Sequence, residues 1–395
     1  NVTSGLWNAT GSWQKFDGTN WVAATATPTS SDGVITIQNG HTITVGSSVT
    51  VDQVVINSGG TVDLNGGFTL TINDGTGTDL DITGTFIQSA NTFTNNGQIV
   101  VKNGGVIRQA KPGTVVPTAT WNSGSTCEVT GWQATMGGGL DQSFSNFTWN
   151  CTGQTSSSFV LEPATMSVGG VLKIQSTGSG VLALGNSSTT RSLTVGSFDI
   201  SGGSFYVAGA GSSANMTLTI TGSFNQSGGT FEVGRSNSNS GTCTVGTTLT
   251  TSSGTLRIMN NSGTGGIVST LTVNGNSTIS GGSLDLSTAG RTNAGRLFLK
   301  GDLTLSSGGL IFTQGLTGTT GSSGIYFDGS TAQSFTHSGG TLSTTTGGAG
   351  LRFYYKTTTG PTALNETYSA GTAQTTINGT EGTPAVNYSR WPTSG

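Results

Sequence analysis

Between residues 216 and 259 the chain alternates apolar and polar positions, first in "MTLTI", then in "FEVG", "TCTV" and "TLRIM". A period of two puts successive side chains on opposite faces of a β-strand. The alternating runs are short and meet at Ser/Gly corners. These corners are Gly178-Ser179-Gly180, Ser201-Gly202-Gly203, Ser227-Gly228-Gly229, Ser252-Ser253-Gly254, Ser280-Gly281-Gly282, Ser307-Gly308-Gly309 and Ser338-Gly339-Gly340. Their starting numbers differ successively by 23, 26, 25, 28, 27 and 31. A repeat in the twenties marks a stacked array. Leu218, Ile220, Phe224, Phe231 and Val233 recur one repeat later as Cys243, Val245, Leu249, Leu256 and Ile258. Phe231 is therefore predicted to lie directly over Leu256.

A period of two inside a period near 25 has a simple physical solution. Each repeat winds one coil of two or three short strands, and the next coil stacks on it in parallel. Apolar faces then point inward, while N–H and C=O groups bond to the coils on either side. Glycine sits at the corners, where a positive φ or a close backbone approach excludes a Cβ. The fold class predicted is all-β, a parallel β-helix (β-solenoid) of about 25-residue coils. At ~4.8 Å per coil the rod would be about 60–70 Å long. A string of immunoglobulin-like sandwiches would also alternate, but it repeats at about 80–100 residues and keeps no such short register.

The pattern extends upstream in "VTVDQVVINSGGTVDLNGG" (49–67), "LDITGTFIQSANTFTNNG" (80–97) and "QIVVKNGGVIRQ" (98–109). The first forty residues differ, with Trp7, Trp13 and Trp21 set among turn residues. A solenoid end must cover an open strand edge, so an aromatic-rich N-terminal cap is expected there. The organisation expected is a cap over 1–40, a solenoid over 41–347, and a C-terminal covering segment or the start of a next module over 348–395.

Composition changes the picture in two ways. Of 395 residues, 66 are Gly, only 8% are charged, and the net charge is −3. So little charge gives no bulk attraction for nucleic acid or an anionic membrane. No run approaches the ~18 apolar residues of a membrane span. The chain starts at Asn1 rather than Met, and is expected to be a processed or excised piece of a longer product.

Three segments, "SSDGVITIQNGHTITV" (30–45), "GSTCEVTGWQATMGGGLDQSFSNFTWNCTG" (124–153) and "AGTAQTTINGTEGTPAVNYSRWPTSG" (370–395), carry a resemblance. With them the chain resembles the long Gly/Thr/Asn-rich surface proteins of gliding-type bacteria that are exported by type IX secretion. The resemblance implies a parallel β-helix within a large extracellular protein, cell-surface or released, of adhesin-like character. Such proteins normally end in a sorting domain, which is not seen here. The resemblance brings no catalytic motif.

Candidate chemistry is sparse, and no catalytic, cofactor or metal residue is assigned. Cys127 and Cys151 stand one coil length apart by the repeat. They are expected either to bond across stacked coils or to remain core thiols, with an oxidising location favouring the bond. Cys243 takes the place of Leu218 and is expected to be a small core residue. His41 and His337, the two histidines, have no nucleophile or acid beside them. Asp74, Asp79 and Asp81 in "NDGTGTDLD" could supply oxygens to calcium, but they lack the spacing of a calcium-binding loop, and a polar turn is expected. Asn8, Asn146, Asn150 and Asn215 begin glycosylation triplets that arise by chance in such a composition. Trp121, Trp132 and Trp149 are a candidate sugar-stacking platform.

Three functions are compatible with this pattern. The first is a structural or adhesive module, a rigid rod or filament segment of a secreted surface protein. Its partners would be other segments of the same long chain, identical copies, or surface glycans. The second is a polysaccharide-degrading enzyme, which needs converging carboxylates. The acids are scattered about one per coil, and Glu128, Asp141 and Glu162 are the densest group. The third is a binding module for glycan or ice. Ice would need a regular outward ladder of Thr, and the variable coil length argues against one.

Overall fold

A strand of three alternating residues has one apolar face and buries too little to stand alone. In the computed structural model that face is closed by stacking coil on parallel coil. The structure describes residues 1–395 apart from 91, 163, 212, 236–237, 261–265, 288–292, 314–322, 332, 345–350, 356–364, 369–386 and 391–395. Two units are distinguished, residues 1–156 with 165–171 and residues 157–164 with 172–395. Each is a wound parallel β-solenoid.

The first unit has three walls. One is a five-stranded parallel sheet of Ile35–Ile37, Val54–Ile56, Leu80–Ile82, Ile99–Val101 and Thr120–Trp121. The second stacks Val49–Val51, Thr69–Ile72 and Thr92–Asn95. The third stacks Thr42–Thr44, Thr61–Asp63, Thr85–Gln88, Val106–Gln109, Thr126–Val129 and Asn146–Asn150. On the third wall Ile43, Val62, Phe86, Ile107, Cys127 and Phe147 form one buried file, its spacing mostly tighter than the repeat of the later chain. Burying one such side chain fully is worth about 1.5–3 kcal/mol, which the file collects at every coil.

At the start of this unit Gly5–Leu6 pairs in parallel with Thr42–Thr44, and Trp7 and Trp13 are buried. Their indoles pack 5.0 Å apart. Each N–H finds a carbonyl, Trp7 Nε1 donating to Pro28 O and Trp13 Nε1 to Trp7 O. The two rings do the work expected of an aromatic cap. Trp21 does not share it, for it stands 66% exposed. Ile35–Ile37 already pairs with Val54–Ile56, so winding begins inside the first forty residues.

In the second unit three inward files run from coil to coil. Leu193, Leu218, Cys243, Leu271, Leu297 and Ile325 make one. Phe198, Phe224, Leu249, Ser277, Leu303 and Phe335 make the next. Phe159, Leu182, Phe205, Phe231, Leu256, Leu284, Ile311 and Leu342 make the third, and Phe231 lies over Leu256 as predicted. Strands at Arg352–Tyr355, Asn365–Tyr368 and Asn387–Arg390 also pair in parallel, so winding continues after residue 348. The rest of that C-terminal segment lies outside the described residues.

The Ser/Gly corners stack as well. Gly203, Gly229, Gly254 and Gly282 all take a left-handed φ, between 66° and 85°. A Cβ on Gly229 would come within 2.6 Å of Gly203 O, so the corner of one coil leaves no room for a side chain on the next.

Variable coil length argues against a uniform Thr ladder, and the ladders present are short, ending where Arg296 and Phe298 take the next positions. Thr217, Thr242 and Thr270 stack outward, and beside them Thr194, Thr219, Thr244 and Thr272 do the same without a register shift. The extra residues of the longer coils fall between these strands, and the strands themselves stay matched.

Candidate functional site

Alternation decides which side chains face solvent, and two outward clusters stand apart from the neutral background. The first is on the cap of the first unit. Gln14–Phe16 and Trp21–Ala23 form an antiparallel hairpin, with Phe16 opposite Trp21. Its turn is held by Asp17, whose Oδ1 accepts the N–H groups of Asn20 and Thr19. These two bonds hold the Asp17 carboxyl below its ordinary range. The Phe16 and Trp21 rings are tilted against each other 5.5 Å apart, and both are at least half exposed. Beside them opens a groove of about 580 Å³, lined among others by Gln14, Phe16, Trp21, Val34 and Gln38. Lys15 and Asp32 also line it and pair at 3.7 Å, and the Asn1 amino group on its wall donates to Thr36 O.

The second cluster lies on the second unit. Glu232, Arg257 and Asp285 occupy one register position on three successive coils. They alternate with core residues and should face outward, yet Glu232 and Asp285 are buried. Arg257 bridges them, Nη1 to Glu232 Oε1 at 2.6 Å and Nε to Asp285 Oδ2 at 2.9 Å. Asn260 Nδ2 also donates to Glu232, and the Ser287 amide to Asp285. Arg235 pairs with Glu232 and lies 4.7 Å over the Tyr206 ring. Burial pushes the Asp285 carboxyl up to about 6, against the pull of Arg257. The acids thus converge, but beneath a covered surface and committed to a shared cation. Chemically this is a clamp between coils.

The sequence-predicted candidates are dispersed. Glu128 pairs with Arg108 of the preceding coil, and Asp141 accepts the Thr165 amide. Glu162 belongs to the second unit, where its backbone is left-handed at φ 39°. Asp79 is buried and accepts the amides of Gly75 and Gln98, Asp81 pairs with Lys102, and Asp74 is exposed. Asp79 and Asp81 are therefore engaged separately, and Asp74 faces solvent. Among the described residues no group of three or more His, Cys, Asp or Glu is arranged to hold a metal.

Cys127 and Cys151 are free, and the disulfide alternative fails on register. The coil here closes earlier than the repeat requires, so Cys127 sits over Phe147 instead of Cys151. Cys151 Sγ instead approaches Val129 O at 3.4 Å. Cys243 is buried in a leucine file, as expected. The Trp platform fails because Trp132 and Trp149 are fully buried with their rings 5.5 Å apart, and Trp121 is half-buried with Nε1 donating to Gln142. His41 Nδ1 is buried without a partner among the described residues. His337 packs on Phe335, with Nε2 3.4 Å from Gly340 O.

Sequence reasoning missed both clusters. The signal for the clamp is the interval itself, since acids spaced one per coil at the repeat distance are stacked rather than scattered. The signal for the hairpin is "FDGTNW", a turn sequence between two aromatics. No family model, curated protein or solved structure matches the chain. Among the described residues no helix is long and apolar enough to cross a membrane.

Proposed function

We propose that the chain is a structural and adhesive module of a large secreted bacterial surface protein, a stiff segment of a rod or filament. The observation that carries this is the matched register of inward and outward files over many coils. Inward, every coil adds a buried apolar rung. Outward, Thr194, Thr219, Thr244 and Thr272 repeat a neutral hydroxyl that hydrates without attracting charged partners. Glu232 and Asp285, which successive coils bring together, are both committed to Arg257 as a brace between coils. A parallel ladder held in register resists bending because each backbone group is bonded to the coil beside it.

A second reading, a carbohydrate-binding module, is favoured by the exposed Trp21 and its groove. The test of the main reading is to display the chain on cells lacking adhesins and measure attachment to abiotic and cell-coated surfaces, with small-angle scattering on the purified chain. A rod-like scattering profile together with attachment above the undisplayed control is expected. A flexible-coil profile, or attachment no greater than the control, rejects it.

A further inference from the structure

We propose that the groove beside the cap hairpin binds a neutral oligosaccharide, with the Trp21 indole as its stacking platform. This deepens the adhesive reading and rests on its surface-glycan half. Trp21 presents an apolar ring with two-thirds of its surface open, paired with Phe16 across the hairpin. An aromatic face of this kind meets the C–H face of a sugar ring, while the sugar's hydroxyls need donors and acceptors at the edge. The groove supplies them. Among the described residues the Gln14 side-chain amide makes no intramolecular hydrogen bond, and Gln38 uses only its oxygen, which accepts from Asn57. A primary amide offers two donors and an acceptor in one plane.

The size and charge of the groove choose the ligand class. About 580 Å³ falls inside the range of small-molecule sites, roughly 300–1,000 Å³. Lys15 pairs with Asp32, and burial lowers the pKa of the Asn1 amino group, which donates to Thr36 O. The recognition left to the groove is that of neutral amides and an aromatic face, and a neutral glycan meets no repulsion. Preorganisation is built in. The floor includes Trp13, locked against Trp7 by ring packing and a hydrogen bond, and the hairpin turn is pinned by Asp17. Little ordering cost is left to binding.

The bland alternative is that Phe16 and Trp21 only staple their own hairpin as a cross-strand pair. Calorimetric titration of the whole chain separates the two, using soluble hexaoses of β-1,3-glucan, cellulose, mannan and chitin, with oligoalginate as the charged probe. At least one neutral hexaose is expected to bind. Trp21→Ala is expected to weaken it about five- to tenfold, and Gln14→Ala by a smaller factor. Val115→Ala, an exposed apolar residue away from the groove, should leave affinity unchanged. Trp21→Phe keeps the cross-strand pair and should retain most of the binding, which controls for hairpin loss. The proposal is overturned if no neutral hexaose binds, if Trp21→Ala binds as well as the parent, or if oligoalginate is preferred. Attachment of displayed cells, measured in parallel, keeps the two ideas apart. Loss of glycan binding with attachment intact rejects the groove alone, and glycan binding without attachment rejects the adhesive role alone.

Discussion

Replacing Arg257 with Met withdraws the cation shared by Glu232 and Asp285 while keeping an unbranched side chain of comparable length. Glu232 keeps two partners, Asn260 and Arg235. Asp285, fully buried, keeps only the Ser287 amide among the described residues. The deficit therefore falls on Asp285. Removing one member of a buried ion pair costs about 3–5 kcal/mol, because the remaining charge is left uncompensated. Stability in a stacked array is local, so the assay is hydrogen–deuterium exchange of the strand Leu249–Met259 and its neighbours rather than a global melt. Exchange about a hundredfold faster or more is expected at pH 8. The effect must also depend on pH. Asp285 is already raised to about 6 in the parent. A carboxyl whose folded pKa is raised contributes stability that is full below its ordinary range and is lost as pH rises through the folded value. Without Arg257 it is raised further, so the penalty of the substitution should be greatest at pH 8 and shrink toward pH 4. Adding Asp285→Asn should restore part of the protection at pH 8. A deficit that is the same at both pH values, or that Asp285→Asn does not relieve, would refute the clamp as the source of the stability.

Gly229 and Gly266 share the same φ of 67°, but a Cβ would meet Gly203 O in the first case and open space in the second. Gly266→Ala should cost only the left-handed penalty of about 1–2 kcal/mol, and Gly229→Ala clearly more, since two coils must part. Equal losses of hydrogen–deuterium exchange protection in the strands flanking the two sites would show that the corners do not transmit contact from coil to coil. Burial pushes the thiols of Cys127, Cys151 and Cys243 up, that of Cys151 to about 12. Thiol reagents at pH 8 should therefore label none of the three in the folded chain and all three in denaturant. Rapid labelling without denaturant would contradict the packing described.

Alternation and interval are geometric signals, and what depends on them alone is legible in the sequence. Phe231 over Leu256 and the file of corner glycines follow from counting, because a stacked strand has no freedom to choose another partner once its neighbours are in register. What counting does not reach is how much chain each corner consumes. The repeat of the later chain matches Cys127 with Cys151, whereas the first unit winds more tightly and closes the coil on Phe147. That shortfall moves one thiol out of reach of the other. The same slack explains the short threonine ladders. Coil length varies, yet Thr219, Thr244 and Thr272 align because the ladder fixes strands and leaves the connections free to grow. Burial beyond the strand is the second blind spot. Glu232 and Asp285 occupy outward positions by parity, and nothing in a period of two says that an outward face will be covered. Trp21 fails the other way. Composition groups it with Trp7 and Trp13, but the hairpin that carries it turns away from the core that those two complete. In a solenoid the inward face is dictated by repetition, so any site must be sought where the outward face departs from it, and the two places where it does so most clearly are the covered clamp and the open aromatic groove.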